Sequence, residues 1–308
     1  MTLKFEYQEQ LLPGATLIYI NSSLLKLASC RRRLALTLHG FAPEEDKESV
    51  DILETGRAIH KFAEEFSKNG GDCVEAMAAA VKEFPHVPRA TILACAGSRT
   101  QVNIPPPYLL NGRPCVEFTF KIPWYSFIAN GELYQLVLCG TIDHLSFDGR
   151  NVRIYDYKTS RYRMAEYALA KYKHSSQFAF YQWIVYEYGP RIGLPLEVQN
   201  AVRGGRIASH VVPVLLTANP PRWVIGPIRY LSNDQFASFK ASLLSVVNGV
   251  LGAYFKGVEA NADGMVNDSC QYCKFKDFCY APNVAEANRV LLSYPVKPYD
   301  PTINYDTE

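Results

Sequence analysis

Residues 155–162 read YDYKTSRY, directly after the apolar alternation of Val152 and Ile154. Alternation of period two marks a strand, and side chains two apart on a strand share a face. Asp156 and Lys158 therefore project to the same side. In isolation an Asp-x-Lys pair is an ordinary solvent-facing ion pair, so its meaning rests on its surroundings. The preceding stretch "YQLVLCGTIDHLSF" reads as a second strand, and Asp148-Gly149 between the two is a strong hairpin signal. A two-residue turn there sets Phe147 against Arg150, Asp143 opposite Ile154 and Asp156 opposite Thr141. Asp143, Asp156 and Lys158 then lie on one face, the carboxylates being diagonal neighbours about 7–8 Å apart at the backbone.

Two converging acids repel, and one is driven to protonate unless a cation sits between them. Mg²⁺ or Mn²⁺ removes that penalty, since carboxylate oxygens are the usual ligands of hard divalent ions. The Lys158 ammonium then stands where charge builds on a phosphate under in-line attack. The strand pair reads as half of a metal-dependent phosphodiesterase site. Glu117, in the earlier strand "CVEFTFKI", is placed to add a ligand or hold a water, and His60 lies on a helix four residues before Glu64.

Composition bounds the rest. Of 308 residues 48% are apolar and 20% charged, with a net charge of +2, so any nucleic-acid surface must be local rather than a bulk charge effect. The opening "MTLKFEYQEQ" is not a secretory signal, and "SLLSVVNGVLGAYF", the nearest approach to a membrane span, is interrupted by Ser and Asn. The expectation is a cytoplasmic protein with no membrane partner. Eight cysteines in such a chain point to burial, metal or catalysis rather than disulfides. Cys73, Cys95, Cys115 and Cys139 sit singly, whereas Cys270, Cys273 and Cys279 cluster and Cys30 precedes three arginines.

Helices are expected over about 23–36, capped by Asn21 to Ser23, then over "SVDILETGRAIHKFAEEFSKNGG", stopped at Gly70-Gly71, and over "DCVEAMAAAVKEF". Residues 97–114 read as irregular, "SSQFAFYQWIVYEYG" and "SNDQFASFKASLLSVVNGVLGAYFKG" as helices, and "RIASHVVPVLLT" with "RWVIGPIRYL" as a further strand pair. Helices that precede, interrupt and follow one sheet make a single α/β domain over 1–308. Its parts are a helical arm (20–85), a catalytic sheet and helix (115–232), a helix with the cysteine cluster (233–282) and a tail (283–308), extended and loosely held over "YPVKPYDPTINYDTE". Segments 86–114 and 190–231 add a lid, an arch or a partner surface.

The order of these pieces resembles the RecB-like, iron–sulfur-containing branch of the PD-(D/E)xK nucleases. The matching stretches are "LASCRRRLAL", "GRAIHKF", "VEFTF", "GTID", "DYKTS", "QFAFY" and "CQYCKFKDFC", spread over about residues 20 to 280. The resemblance implies a restriction-endonuclease-like core, a mixed central sheet flanked by helices, with N- and C-terminal arms joined by a metal cluster. It implies a DNA nuclease, an exonuclease preferring single strands or free ends, active in repair or recombination, phage DNA processing or CRISPR adaptation, with a separate helicase or other partner. It makes His60, Asp143 and Asp156 metal ligands with the main-chain carbonyl of Tyr157, Lys158 the catalytic lysine, and Glu117 a looser match to the strand glutamate. Gln177 and Tyr181 match residues that contact DNA. Cys30, Cys270, Cys273 and Cys279 match the ligands of a 4Fe–4S cluster, and four thiolates also suit tetrahedral zinc.

The basic residues fit a DNA path: Arg31 to Arg33 beside the cysteines, and Arg161, Arg163, Lys171 and Lys173 interleaved with tyrosines. No Gly-Lys dipeptide occurs, so the chain carries no P-loop motor. Two alternatives remain: a non-catalytic DNA-binding or assembly subunit held by its metal site, and the same fold acting on RNA.

Overall fold

The hairpin that carries Asp143 and Asp156 is built on a four-residue turn. Phe147 pairs with Val152, and the register runs through Leu145↔Ile154 to His144↔Tyr155. Asp148 makes the turn: its Oδ1 accepts hydrogen bonds from the N–H groups of Arg150 (3.0 Å) and Asn151 (2.7 Å), while Gly149 takes φ +84°. The two-residue turn expected from Asp-Gly is thus replaced by an aspartate-capped one. The even residue count keeps Asp143 and Asp156 on the same face, and the two-residue shift places both just beyond the last pair, His144↔Tyr155.

A computed structural model describes residues 4–28, 30–43, 47–173, 175–256, 270 and 273–297. In chain order its elements are β1 (Glu6–Tyr7), β2 (Thr16–Ile20), α1 (Ser22–Leu27), α2 (Arg31–Leu38), α3 (Lys47–Lys68), α4 (Cys73–Glu83), α5 (Arg89–Arg99), β3 (Leu109–Leu110), β4 (Arg113–Pro114), β5 (Val116–Ala129), β6 (Glu132–Phe147) and β7 (Val152–Ser160). There follow α6 (Ala165–Lys171), α7 (Ser176–Tyr188), α8 (Leu196–Arg203), β8 (Ile207–Leu215), β9 (Arg222–Trp223), β10 (Arg229–Tyr230), α9 (Asn233–Lys256), α10 (Lys276–Cys279) and α11 (Val284–Ser293). The chain divides into two compact units, one of Lys47–Ile122 with Cys139–Phe239, the other of Met1–Asp46, Pro123–Leu138 and Lys240–Glu308. Residues 47–85, expected within an N-terminal arm, belong to the same unit as β7.

In the unit that holds β7, the strand order is β5, β6, β7, β8, β10, with β9 also on β8. The sheet is mixed: β6 and β7 are antiparallel, whereas β7 and β8 run parallel from Val152↔Ile207 to Ser160↔Leu215. A parallel pair needs a crossover, supplied here by α6, α7 and α8. Tyr155 and Tyr157 of β7 and Val212 and Val214 of β8 pack with Ala58, Ile59 and Phe62 of α3, Ala76 and Ala80 of α4, and Ile92 and Cys95 of α5. Helix α5 therefore corrects the reading of 86–114 as an accessory segment, because part of it is core. Its residues 97–99, expected to be irregular, close the helix. On α7, Phe180 meets Phe120 at 6.2 Å.

In the other unit, β1 pairs with the far end of β5 and β2 runs parallel to the first half of β6, from Thr16↔Tyr134 to Ile20↔Leu138. Phe127 stacks on Tyr134 at 5.4 Å, and Phe255 of α9 closes against Tyr134 at 5.1 Å. Asn21 caps α1 as expected, its Oδ1 accepting from Leu24 N at 2.8 Å. The single helix expected over 23–36 is two, because Cys30 takes an extended φ of −135° and its Sγ accepts from Arg33 N, so that it caps α2. The start of the expected loose tail is held, Phe41 bridging Val296 and Lys297 N donating to Gly40 O. Residues 298–308 of that tail and 257–269 before the cysteine cluster lie outside the described residues. Among the described residues α9 is the helix long and apolar enough to span a bilayer, yet its Phe236, Leu243, Val247 and Val250 are buried.

Candidate active site

The site forms where the β6–β7 ladder stops. Beyond His144↔Tyr155 the N–H of Tyr157 donates to the Asp143 carboxylate, Oδ2 at 2.7 Å, instead of to the neighbouring strand's backbone. The Tyr157 ring, 1% exposed, is anchored in the core, edge-on to Trp223 at 5.6 Å and with its hydroxyl 3.3 Å from His144 Nδ1. The core side of β7 thus fixes the peptide that orients Asp143.

His60 reaches the same place from α3. Its Nδ1 is 3.7 Å from Asp143 Oδ2, and the main chain of Tyr157 hydrogen-bonds the ring. Gly56, one turn earlier on α3, permits that approach: a Cβ there would lie 3.1 Å from Thr159 Oγ1. Burial and the Lys158 charge push His60 down to about 4, so its imidazole is neutral and able to act as a ligand at neutral pH.

Glu117 completes the group. One donor atom each from His60, Glu117 and Asp143 lie within 4.8 Å of one another. Glu117 holds a φ of +47°, uncommon for a residue with a side chain, at the point where β5 brings it beside β6. Strand alternation puts Glu117 on the face of Thr119, whose hydroxyl is 3.2 Å from that of Thr141, and Thr141 shares its face with Asp143. Burial, reinforced by Asp143, pushes Glu117 up to about 8, and burial also raises Asp143. Glu64, one turn after His60, is committed to Lys61 and Lys68.

Asp156 is 1% exposed and lies outside that three-donor group. Lys158 Nζ pairs with it at 3.0 Å from Oδ2, and Gln177 Nε2 donates to Oδ1 at 2.9 Å. Its Oδ2 is buried with an ion-pair partner but no hydrogen bond. Burial pushes Asp156 up to about 6 against the opposing pull of Lys158. Gln177 and Tyr181, expected to contact DNA, are 2% and 4% exposed. Gln177 supports Asp156 from α7, and its Nε2 is also 3.4 Å from the Tyr181 hydroxyl. Burial explains the correction: a helix that packs Phe178, Phe180 and Trp183 inward carries Gln177 with them. Gly140, of the "GTID" stretch, is required beneath it, since a Cβ would meet Phe120 at 2.9 Å and Tyr181 at 3.2 Å.

A neutral imidazole and two carboxylates whose proton affinity burial raises, brought within 4.8 Å of one another, fit a hard divalent cation. Lys158, paired to Asp156, adds a fixed positive charge. Such a set, at the split end of a hairpin in a mixed α/β sheet, could hold a metal ion beside a fixed positive charge. Residues 21–280 match the PD-(D/E)XK nuclease superfamily, and the chain belongs to that family. Membership implies a hydrolase that cleaves nucleic acid, most directly DNA, with a divalent metal. No curated protein matches the chain.

The expected second metal site lies in the other unit. Cys30, Cys270, Cys273 and Cys279 line one small, partly open pocket with Arg33, Phe275, Lys276 and Tyr280. The thiols are not drawn together as ligands: among the described residues no three have sulfurs all within 4.8 Å of one another. Burial raises Cys273 and Cys279, and neighbouring thiols add to it. Arg32 hydrogen-bonds Cys279 and lies 5.8 Å over the Phe278 ring, so Arg32 and Arg33 face the cysteines rather than an open DNA path.

Proposed function

We propose that this chain is a divalent-metal-dependent DNA exonuclease that prefers single strands or free ends, of the RecB-like iron–sulfur branch. The observation that carries the nuclease reading is the convergence of His60, Glu117 and Asp143 beside a buried Asp156–Lys158 ion pair. His60, Glu117 and Asp143 would hold the cation, with the Asp156 Oδ2 and the Tyr157 carbonyl adding to it. When bound, Mg²⁺ or Mn²⁺ supplies positive charge to the phosphate oxygens during displacement.

The remaining chemistry belongs to the side chains. Lys158 is held at the site by Asp156, so its ammonium offsets charge on the phosphoryl oxygens without needing to be ordered first. Gln177 keeps Asp156 from turning away, and the Tyr157 N–H does the same for Asp143. A duplex interior offers no free end to such a recessed group, which supports the preference for ends.

Cys30, Cys270, Cys273 and Cys279 would hold a 4Fe–4S cluster with a structural role. Their shared cavity supports this. Four thiolates also suit tetrahedral zinc, and the resemblance favours the iron–sulfur cluster.

The test is an anaerobic assay with Mg²⁺ or Mn²⁺ on end-labelled single-stranded, linear duplex and closed circular DNA, comparing wild type with Asp156→Ala. Loss of linear single strands to wild type alone is the expected result. No cleavage of any substrate by protein with a full cluster would instead make the chain a DNA-binding subunit.

A further inference from the structure

The segment that follows the catalytic strand carries an exposed apolar patch that neither the fold nor the metal group uses. Tyr162 is 50% exposed, Met164 51% and Tyr167 61%. The two tyrosine rings lie 6.2 Å apart at a tilt of 42°, so they present one aromatic face rather than two scattered rings. By contrast Tyr155, Tyr157 and Tyr181, on the neighbouring elements, are all buried. The segment is fixed in place: Tyr162 N donates to Ser160 Oγ at 3.2 Å, and the Thr217 hydroxyl donates to the Arg161 carbonyl. Arg161 and Arg163 adjoin Tyr162 in sequence and are exposed with it, Lys171 ends α6, and Glu166 is the single acid among them.

We infer that Tyr162 and Tyr167 form a base-stacking platform for unpaired nucleotides of a DNA strand entering the site, and that this platform sets the preference for single strands. The inference rests on the nuclease reading above. Tyr162 is four residues beyond Lys158, so its Cα is at most about 14 Å away along the chain, a distance of a few nucleotides. The charge is complementary: the exposed stretch that carries the rings is cationic, which suits phosphates, and aromatic faces accept any base. Stacked base pairs inside a duplex present no free π-face, so the platform rewards only bases already out of the stack.

The test uses full-length protein with Asp156→Ala to keep DNA intact, binding end-labelled oligonucleotides that carry 2-aminopurine at successive positions. The expected result is fluorescence quenching at one or two positions a few nucleotides from the end. Tyr162→Ala/Tyr167→Ala should abolish that quenching and weaken single-strand binding roughly tenfold or more, the order of one lost base–aromatic stack. Blunt duplex binding should stay unchanged, and Tyr162→Phe/Tyr167→Phe should keep both quenching and affinity. Unchanged single-strand binding by the alanine pair would overturn the platform, as would an equal loss on duplex. If wild-type protein cleaves DNA while the alanine pair leaves its ratio of single- to double-strand cleavage unmoved, the platform fails and the nuclease stands. If wild type neither cleaves nor binds DNA, the nuclease reading fails, and the patch belongs to a protein partner instead.

Discussion

Replacing Glu117 by glutamine should make the metal-free protein more stable while removing part of its metal site. Burial beside Asp143 pushes the Glu117 carboxyl from 4.5 up to about 8. A carboxyl whose folded value is raised gives full stability below its unfolded value and loses it as pH rises through the folded one. The loss for Glu117 therefore develops between about pH 4.5 and 8. At about 1.36 kcal/mol per unit, linkage makes it about 1 kcal/mol at pH 5, about 3 at pH 7 and about 5 at pH 9. Glutamine keeps the shape and the strained φ but has no proton to release. The assay is thermal unfolding of both proteins in EDTA at those three pH values. Glu117→Gln should melt roughly 5 °C or more above wild type at pH 9, with little difference at pH 5. Added Mn²⁺ should reverse the order, because only the carboxylate gains from the cation. Equal melting temperatures at pH 9 in EDTA would refute the reasoning, since they would mean that Glu117 is not desolvated among the other acids.

Mn²⁺ binding at pH 7 should release protons, chiefly from Glu117, and tighten by up to tenfold per pH unit towards about pH 8; calorimetry in buffers of different ionisation enthalpy measures both. Lys158→Ala should reduce cleavage by at least about a hundredfold while leaving the cysteine-site absorbance intact, read by single-turnover cleavage beside a visible spectrum. Cys273→Ala should abolish that absorbance and lower the melting temperature, with an unaffected protein removing the four-cysteine site from the account. Gly140→Ala should cost about 1–3 kcal/mol in urea unfolding, because Phe120 and Tyr181 must shift to admit the methyl group.

The catalytic hairpin was legible because alternation and parity survive an error in the turn. Reading Asp148-Gly149 as a two-residue loop misplaced the register by two, yet any even turn leaves Asp143 and Asp156 on one face. Other features depend on contacts between distant segments. Helix α5 was hidden by its own composition, since the small residues of "RATILACAGSR" give little amphipathic contrast, and Pro88 opens it without a side-chain cap. The break at Cys30 was invisible because Leu24, Leu27 and Leu34 keep a helical spacing across it. Gln177 pointed to a role at the site, but only its burial on α7 shows that it holds a carboxylate. Glu117 needed the third strand: its alternation was readable, its left-handed backbone was not.

The split end of the hairpin separates what must be inherited together from what is free to vary. Below it, the pairs from Phe147↔Val152 to His144↔Tyr155 fix the register by themselves. Above it, Asp143 stands in for a strand by taking the Tyr157 N–H on a side chain. Residues at the tip can be exchanged without unzipping the strands beneath, whereas a one-residue slip in the turn would put Asp143 and Asp156 on opposite faces. Lineages of such a protein should therefore drift in ligand identity while the length of the turn stays constant or changes by twos.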